Sequence, residues 1–350
     1  MKLFECNCCS QLVYFENTTC ERCEHRLGFY PEKFQLLTLV PKEDHWKALN
    51  GSDKKFRFCA NEEYDACNWL IDADEDSEYC EACRFNRTVP DLGDAEKLHL
   101  WRKIEIAKHR LIYSLMKFRL PLIDKDQDPK KGLAFDFLAD TEDRKIMSGH
   151  ANGLITLNIA EADSVDREKA RTSMDESYRT LLGHFRHEIA HYYWDVLVSN
   201  QKWLDPFHKL FGDETADYKE ALEAHYKNGP PADWNNRFVS AYASSHPWED
   251  WAESWAHYLH LIDTLETAHA FGLRIRPRVG DEEHQGTADF DPYHRKDFDE
   301  LIDAWLPLTY AVNSLNRSMG QPDLYPFVLP PEVMEKMRFI HRLIREVGVA

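Results

Sequence analysis

The sequence predicts an α+β fold, mostly helical with a small sheet, preceded by a small cysteine-rich module. Three observations carry this expectation. All nine cysteines lie between Cys6 and Cys83, long stretches beyond residue 94 repeat apolar residues at helical intervals, and the region from Ala134 to Ala162 changes to short, β-branched apolar runs. The 350 residues accordingly divide into a module at 1–93 and a larger domain at 94–350. Hydrophobic residues at 43% suffice for a core, despite 30% charged side chains.

The module comes first. Its residues mix cysteines with polar turns and an acidic loop at Asp72, Asp74, Glu75, Asp76 and Glu78, and read as loop-rich and stapled by metal. Cys6-x-x-Cys9 and Cys20-x-x-Cys23 have the paired spacing with which four thiolates surround one ion and close it to water. Cys59, Cys67, Cys80 and Cys83 offer a second set of four, although the interval from Cys59 to Cys67 is wider than a knuckle's, and members of the two sets can exchange. Reduced cytosolic thiols favour metal ligation over disulfides. Zinc is the expected ion, iron also suits thiolates, and the expected role is to stabilise a module too small to bury enough apolar surface alone.

In the larger domain, Leu98, Trp101, Ile104, Ala107, Leu111 and Leu115 mark a helix from Ala95 to Leu120, stopped by Pro121. Gly153 to Ile159 reads as a strand, and His150 just precedes it; an edge strand there would suit pairing with an extended substrate. A second helix runs from about Asp175 to Val198. A third starts at Pro247, a residue suited to the first helical position, and continues through Trp248, Trp251, Trp255, Leu259 and Ile262; these tryptophans are expected in the core. Helical pattern returns from about Arg295 to Leu315, and Pro331 opens a last amphipathic helix with Val333, Met337, Ile340 and Ile344.

The second helix carries His187-Glu188-Ile189-Ala190-His191. Residues four apart project from one helical face, so the two imidazoles can share one zinc ion with Glu188 beside it as a base. Hydrolysis suits this set, because zinc lowers the pKa of its bound water to about 7 and a neighbouring carboxylate takes the proton. A third protein ligand is needed. Asp195 lies about 12 Å along the axis from His187, too far to converge, and Trp194 and Leu197 occupy the Gly and His positions of the elongated three-histidine pattern. Glu249 and Glu253, four apart on a separate helix, remain: one ligates while the other receives the spare N–H of a ligating imidazole. The residues alone leave both assignments open. His184 and His257 sit one turn from these groups and are read as surface or capping residues, not as ligands.

With these residues in place, the chain resembles the gluzincin metallopeptidases, in which a glutamate on a later helix completes the zinc site. The segment Glu249 to Glu253 is similar to the Glu-x-x-x-Glu helix of lethal-factor-like members. The resemblance implies a zincin-like fold, Glu249 as the ligand, and a transition-state role for Tyr242, seven residues before Glu249. A closer resemblance, over nearly the whole chain, is to a family of zinc-binding metallopeptidases with an N-terminal zinc ribbon. It rests on Cys6-x-x-Cys9, Cys20-x-x-Cys23, Cys67-Asn68-Trp69, and the run from Arg179 to Glu188. Cys8 departs from the ribbon pattern and is left over if two four-cysteine sites form.

The expected protein is thus a zinc metallopeptidase with one catalytic and two structural zinc ions, acting on a peptide or protein. A ribbon adaptor with a non-catalytic peptidase-like domain is the rival from another class. The net charge of -18 argues against nucleic acid as partner. The absence of a signal-like or membrane-length apolar run points to the cytosol and away from membranes. Nothing in the residues sets the oligomeric state.

Overall fold

The computed structural model describes residues 2–51, 53–173, 180–199, 201–280 and 284–348. The chain mixes helix and sheet and divides into two compact units: Met1–Tyr113 with Ile123–Gly149 and Leu154–Asp166, and Ser114–Leu122 with His150–Gly153 and Arg167–Ala350.

In the first unit, β1 (Phe4–Glu5) and β2 (Leu12–Val13) make an antiparallel hairpin whose connection carries Cys6, Cys8 and Cys9. Five strands follow, β3 (Arg26–Tyr30), β4 (Gln35–Pro41), β5 (Trp46–Ala48), β6 (Lys55–Phe58) and β7 (Leu70–Asp72), paired antiparallel in sequential order. The module is therefore less loop-rich than its sequence suggests. β5 and β7 have only three residues each, too few for an alternating pattern to stand out.

One face of this sheet buries Tyr30, Leu37, Leu39, Ala48, Phe56 and Leu70. Gly28 lets Leu70 pack directly over β3: a β-carbon there would lie 2.5 Å from the Leu70 side chain, which would have to shift to admit any larger residue. Phe15, Phe29, Trp69 and Tyr113 form an adjoining aromatic cluster, with ring centroids 4.7 Å apart for Phe15 and Phe29 and 4.9 Å for Phe29 and Trp69.

The same unit holds β8 (Asn86–Thr88), β9 (Ala134–Leu138) and β11 (Leu154–Asn158), with β9 parallel to both neighbours; β10 (Gly149–Ala151) precedes β11. Parallel neighbours need a crossover, and between β8 and β9 it contains α1 (Ala95–Lys117), within which the division between units falls. Strands expected between Ala134 and Ala162 are thus present.

Helices dominate the rest: α2 (Ser164–Ser173), α3 (Leu181–Tyr193), α4 (Gln201–Phe211), α5 (Tyr218–Asn228), α6 (Pro247–Ala270), α7 (Phe298–Ser318) and α8 (Pro331–Gly348), with a short hairpin of β12 (Arg274–Ile275) and β13 (Gly286–Thr287). The sequence places the start of the α3 helix near Asp175, but 174–179, including Arg179, lie outside the described residues. Thr180 caps α3, its Oγ1 accepting the Gly183 N–H at 3.0 Å, and the chain winds on through a π-helical turn at Trp194–Val198. Pro247 and Pro331 open α6 and α8 as expected, and His246 caps α6 by accepting the Trp248 N–H.

α3 and α6 pack together. Trp251 donates its indole N–H to the Ala190 carbonyl at 2.8 Å, and Trp255 stacks on Tyr193 with centroids 5.2 Å apart. Both tryptophans are fully buried, so Trp255→Ala is expected to cost about 3–5 kcal/mol, read as a lower denaturant midpoint.

α8 adds a pH dependence. His341 is buried, donates Nε2–H to the Lys296 carbonyl and accepts the Tyr258 hydroxyl proton at Nδ1, both at 3.0 Å. Burial is the main reason its pKa falls to about 4. Above the ordinary histidine value of about 6.5 both folded and unfolded states are neutral there. Between that value and about 4 only the unfolded chain takes the proton, so stability is full above pH 6.5 and falls as pH drops. Denaturation midpoints at pH 7.5 and 5 are expected to converge in His341→Gln relative to the unsubstituted protein.

Candidate metal centres

α3 and α6 bring the predicted residues together. His187, His191 and Glu249 each offer a ligand atom within 4.8 Å of the others. His187 Nε2 lies 3.0 Å from Glu249 Oε2, and His191 Nε2 lies 3.7 Å from Glu249 Oε1. Zinc bonds of about 2.0–2.1 Å put tetrahedral ligands roughly 3.3–3.4 Å apart, so these edges fit one ion. Glu249 is almost fully buried, and its Oε2 makes no hydrogen bond among the described residues. A buried carboxylate oxygen left this way is costly unless a cation occupies the corner it faces.

The surroundings match a ligand set. His187 Nδ1 is 2.8 Å from Glu253 Oε1, and Ser240 donates its hydroxyl to Glu253 Oε2 at 2.7 Å. Glu253 on Nδ1 fixes the ring so that Nε2 is turned toward Glu249. Burial disfavours the His187 cation, but Glu249 and Glu253 on its two sides raise its pKa well above the usual value; burial lowers that of His191. Burial likewise pushes Glu249 up, yet His187, His191 and Tyr218 hold it near 2.

Glu188 is buried next to these groups and not among the ligand atoms. Its Oε1 accepts the Nε2–H of His184 at 3.0 Å. Burial raises its pKa, and His184, His187 and His191 lower it to about 2, so it is ionised throughout the physiological range. Tyr242, on a short turn at Tyr242–Ser245, has its ring centroid 6.0 Å from that of His187, and burial followed by the Glu249 charge raises its pKa. His150 stacks on His191 with centroids 6.1 Å apart. His257 instead meets Tyr325 Oη at 2.6 Å.

Two contacts escaped the sequence reading. Tyr218 donates its hydroxyl to Glu249 Oε1 at 2.8 Å, from a helix start that no spacing ties to the motif. His184, expected as a surface or capping residue, touches Glu188; its position one turn before the motif is the available signal.

The cysteines gather as two groups of four. Cys6, Cys9, Cys20 and Cys23 include Sγ pairs 3.6 Å apart (Cys6 with Cys23, Cys9 with Cys20), and in the set Cys59, Cys67, Cys80 and Cys83 the Cys67–Cys80 distance is 3.7 Å. These distances are far beyond a disulfide's 2.05 Å or so and close to the roughly 3.8 Å edge of a tetrahedral zinc thiolate site. Cys6 shows the expected tuning: burial opposes its thiolate, and the Thr38 hydroxyl with the N–H groups of Cys8 and Cys9 brings its pKa to about 6. Around the second set, His109 of α1 puts Nε2 3.3 Å from Cys67 Sγ and 3.5 Å from Cys83 Sγ, and the buried Lys108–Glu105 pair lies alongside at 2.8 Å. Nothing in cysteine spacing announces His109.

The chain, of mixed helix and sheet, thus offers helix-borne imidazoles meeting a carboxylate in one unit and two sets of four thiols in the other, each a candidate ligand set for a metal ion. Residues 97–343 match the family described as "Putative zinc-binding metallo-peptidase", residues 3–94 match a zinc-ribbon domain, and the chain belongs to this metallopeptidase family. It is similar to uncharacterized proteins of Mycobacterium tuberculosis and Mycobacterium bovis, each 43% identical over 349 residues, covering 99% of this chain and 96% of the relative. No solved structure matches. Among the described residues no helix is long and apolar enough to cross a membrane.

Proposed function

We propose that the chain is a zinc-dependent peptidase of the gluzincin type, with a zincin-like, lethal-factor-like catalytic domain at 94–350 and a zinc ribbon at 1–93. The observation that carries this reading is the meeting of His187, His191 and the buried carboxylate of Glu249, with Glu188 ionised beside them. In this reading these three residues hold one catalytic zinc, and the two cysteine sets hold one structural zinc each.

Bound there, zinc supplies a water of lowered pKa and polarises the scissile carbonyl. Glu188 takes a proton from the water as its oxygen adds to the carbonyl carbon, and returns it to the amine nitrogen as the C–N bond breaks. His184 holds the Glu188 carboxylate in place, and Glu253 keeps the His187 proton on Nδ1. Tyr242, with its hydroxyl protonated at neutral pH, donates to the oxygen that gains negative charge. The substrate is a peptide or protein; nucleic acid and membranes are not partners, and the compartment is the cytoplasm.

Digestion of a peptide library tests the reading. Cleavage is expected from the zinc-loaded protein, absent after a strong chelator, and restored by zinc. Failure to cleave any library peptide with full zinc occupancy would favour the non-catalytic adaptor.

A further inference from the structure

The ninth cysteine has a place in the fold. Cys8 is exposed, and its Sγ, the Sγ of Cys23 and a ring nitrogen of His25 all lie within 4.8 Å of one another. The set Cys6, Cys9, Cys20 and Cys23 is already complete without Cys8. The Cys8 backbone helps to lower the Cys6 pKa, while the Cys8 thiol itself is exposed.

His25 is prepared for ligation. Its Nδ1 is 3.1 Å from the Cys23 carbonyl, and a carbonyl only accepts, so Nδ1 carries the proton and Nε2 keeps its lone pair. A carbonyl on one ring nitrogen is the usual partner of a histidine that binds metal through the other. Two sulfurs and one imidazole form a borderline-soft donor set, suited to zinc or cadmium and poorly suited to magnesium or calcium.

We propose that Cys8, Cys23 and His25 form a further metal site on the ribbon, with the Cys23 thiolate bridging its ion to the ion of the first four-cysteine set. The site rests on that set being filled. It has three protein ligands and faces solvent at Cys8, so its fourth position is open and its ion exchanges more readily than one enclosed by four cysteines.

Titration of the metal-stripped full chain with cadmium, counted by native mass spectrometry, tests this. The unsubstituted protein is expected to take up one more ion than either Cys8→Ser or His25→Gln, with that ion the first released to a competing chelator. With cadmium-113, the resonances of the two ions that share Cys23 are expected to show coupling through its sulfur, lost in both variants. Equal ion counts in all three proteins would overturn the proposal. Loss in Cys8→Ser of a tightly held ion would also overturn it, because Cys8 would then belong to the four-cysteine set. An unfilled first set would instead leave all three proteins with the ion of Cys59, Cys67, Cys80 and Cys83 as their only thiolate-bound ion.

Discussion

Glu188→Gln is expected to lower peptide turnover by about 10²–10⁴-fold with zinc content unchanged. The amide has the carboxylate's size, and its oxygen still accepts the His184 N–H at the position now 3.0 Å away. What it lacks is the capacity to take a proton. Glu188 has no atom in the ligand set formed by His187, His191 and Glu249, so the metal has no reason to leave. Turnover measured alongside metal content separates the two roles: equal turnover in the variant would exclude Glu188 as the base, and loss of zinc would make it a ligand.

The second large effect is expected in the ribbon. Cys80→Ser removes a sulfur that is 2% exposed and 3.7 Å from Cys67 Sγ. Structural zinc sites contribute on the order of 10–16 kcal/mol of apparent folding free energy in small modules, which exceeds the whole stability of a typical domain. The variant is expected to lose one zinc and to expose β6 and β7 to limited proteolysis, since Cys59 and Cys67 lie between those strands and Cys80 follows them. Retention of the full zinc complement with unchanged protease resistance would show that Cys80 holds no ion.

Much of the candidate catalytic centre was legible because its chemistry imposes spacing. His187 and His191 are one helical turn apart, and Glu249 and Glu253 repeat that interval on α6, so each pair shares a face before any coordinates are known. Pro247 and Pro331 marked helix starts for an equally local reason, their fixed backbone angle. The choice between Glu249 and Glu253 was not local. It depends on how α6 is turned against α3, which the buried Trp251 and Trp255 set through Ala190 and Tyr193. Tyr218 and His109 stayed hidden for the same reason: each reaches its partners across the fold, 31 residues from Glu249 in one case and 42 from Cys67 in the other. In the five-stranded sheet of the ribbon, β5 and β7 have three residues each, too few for an alternating pattern to show.

Zinc-edge anomalous diffraction from crystals of the zinc-loaded chain tests the central claim most directly. The expected result is a peak about 2 Å from His187 Nε2, His191 Nε2 and a Glu249 oxygen, with Glu188 beyond bonding distance. A zinc-loaded crystal with no peak between α3 and α6, or with the ion held by Glu253 instead of Glu249, would contradict it.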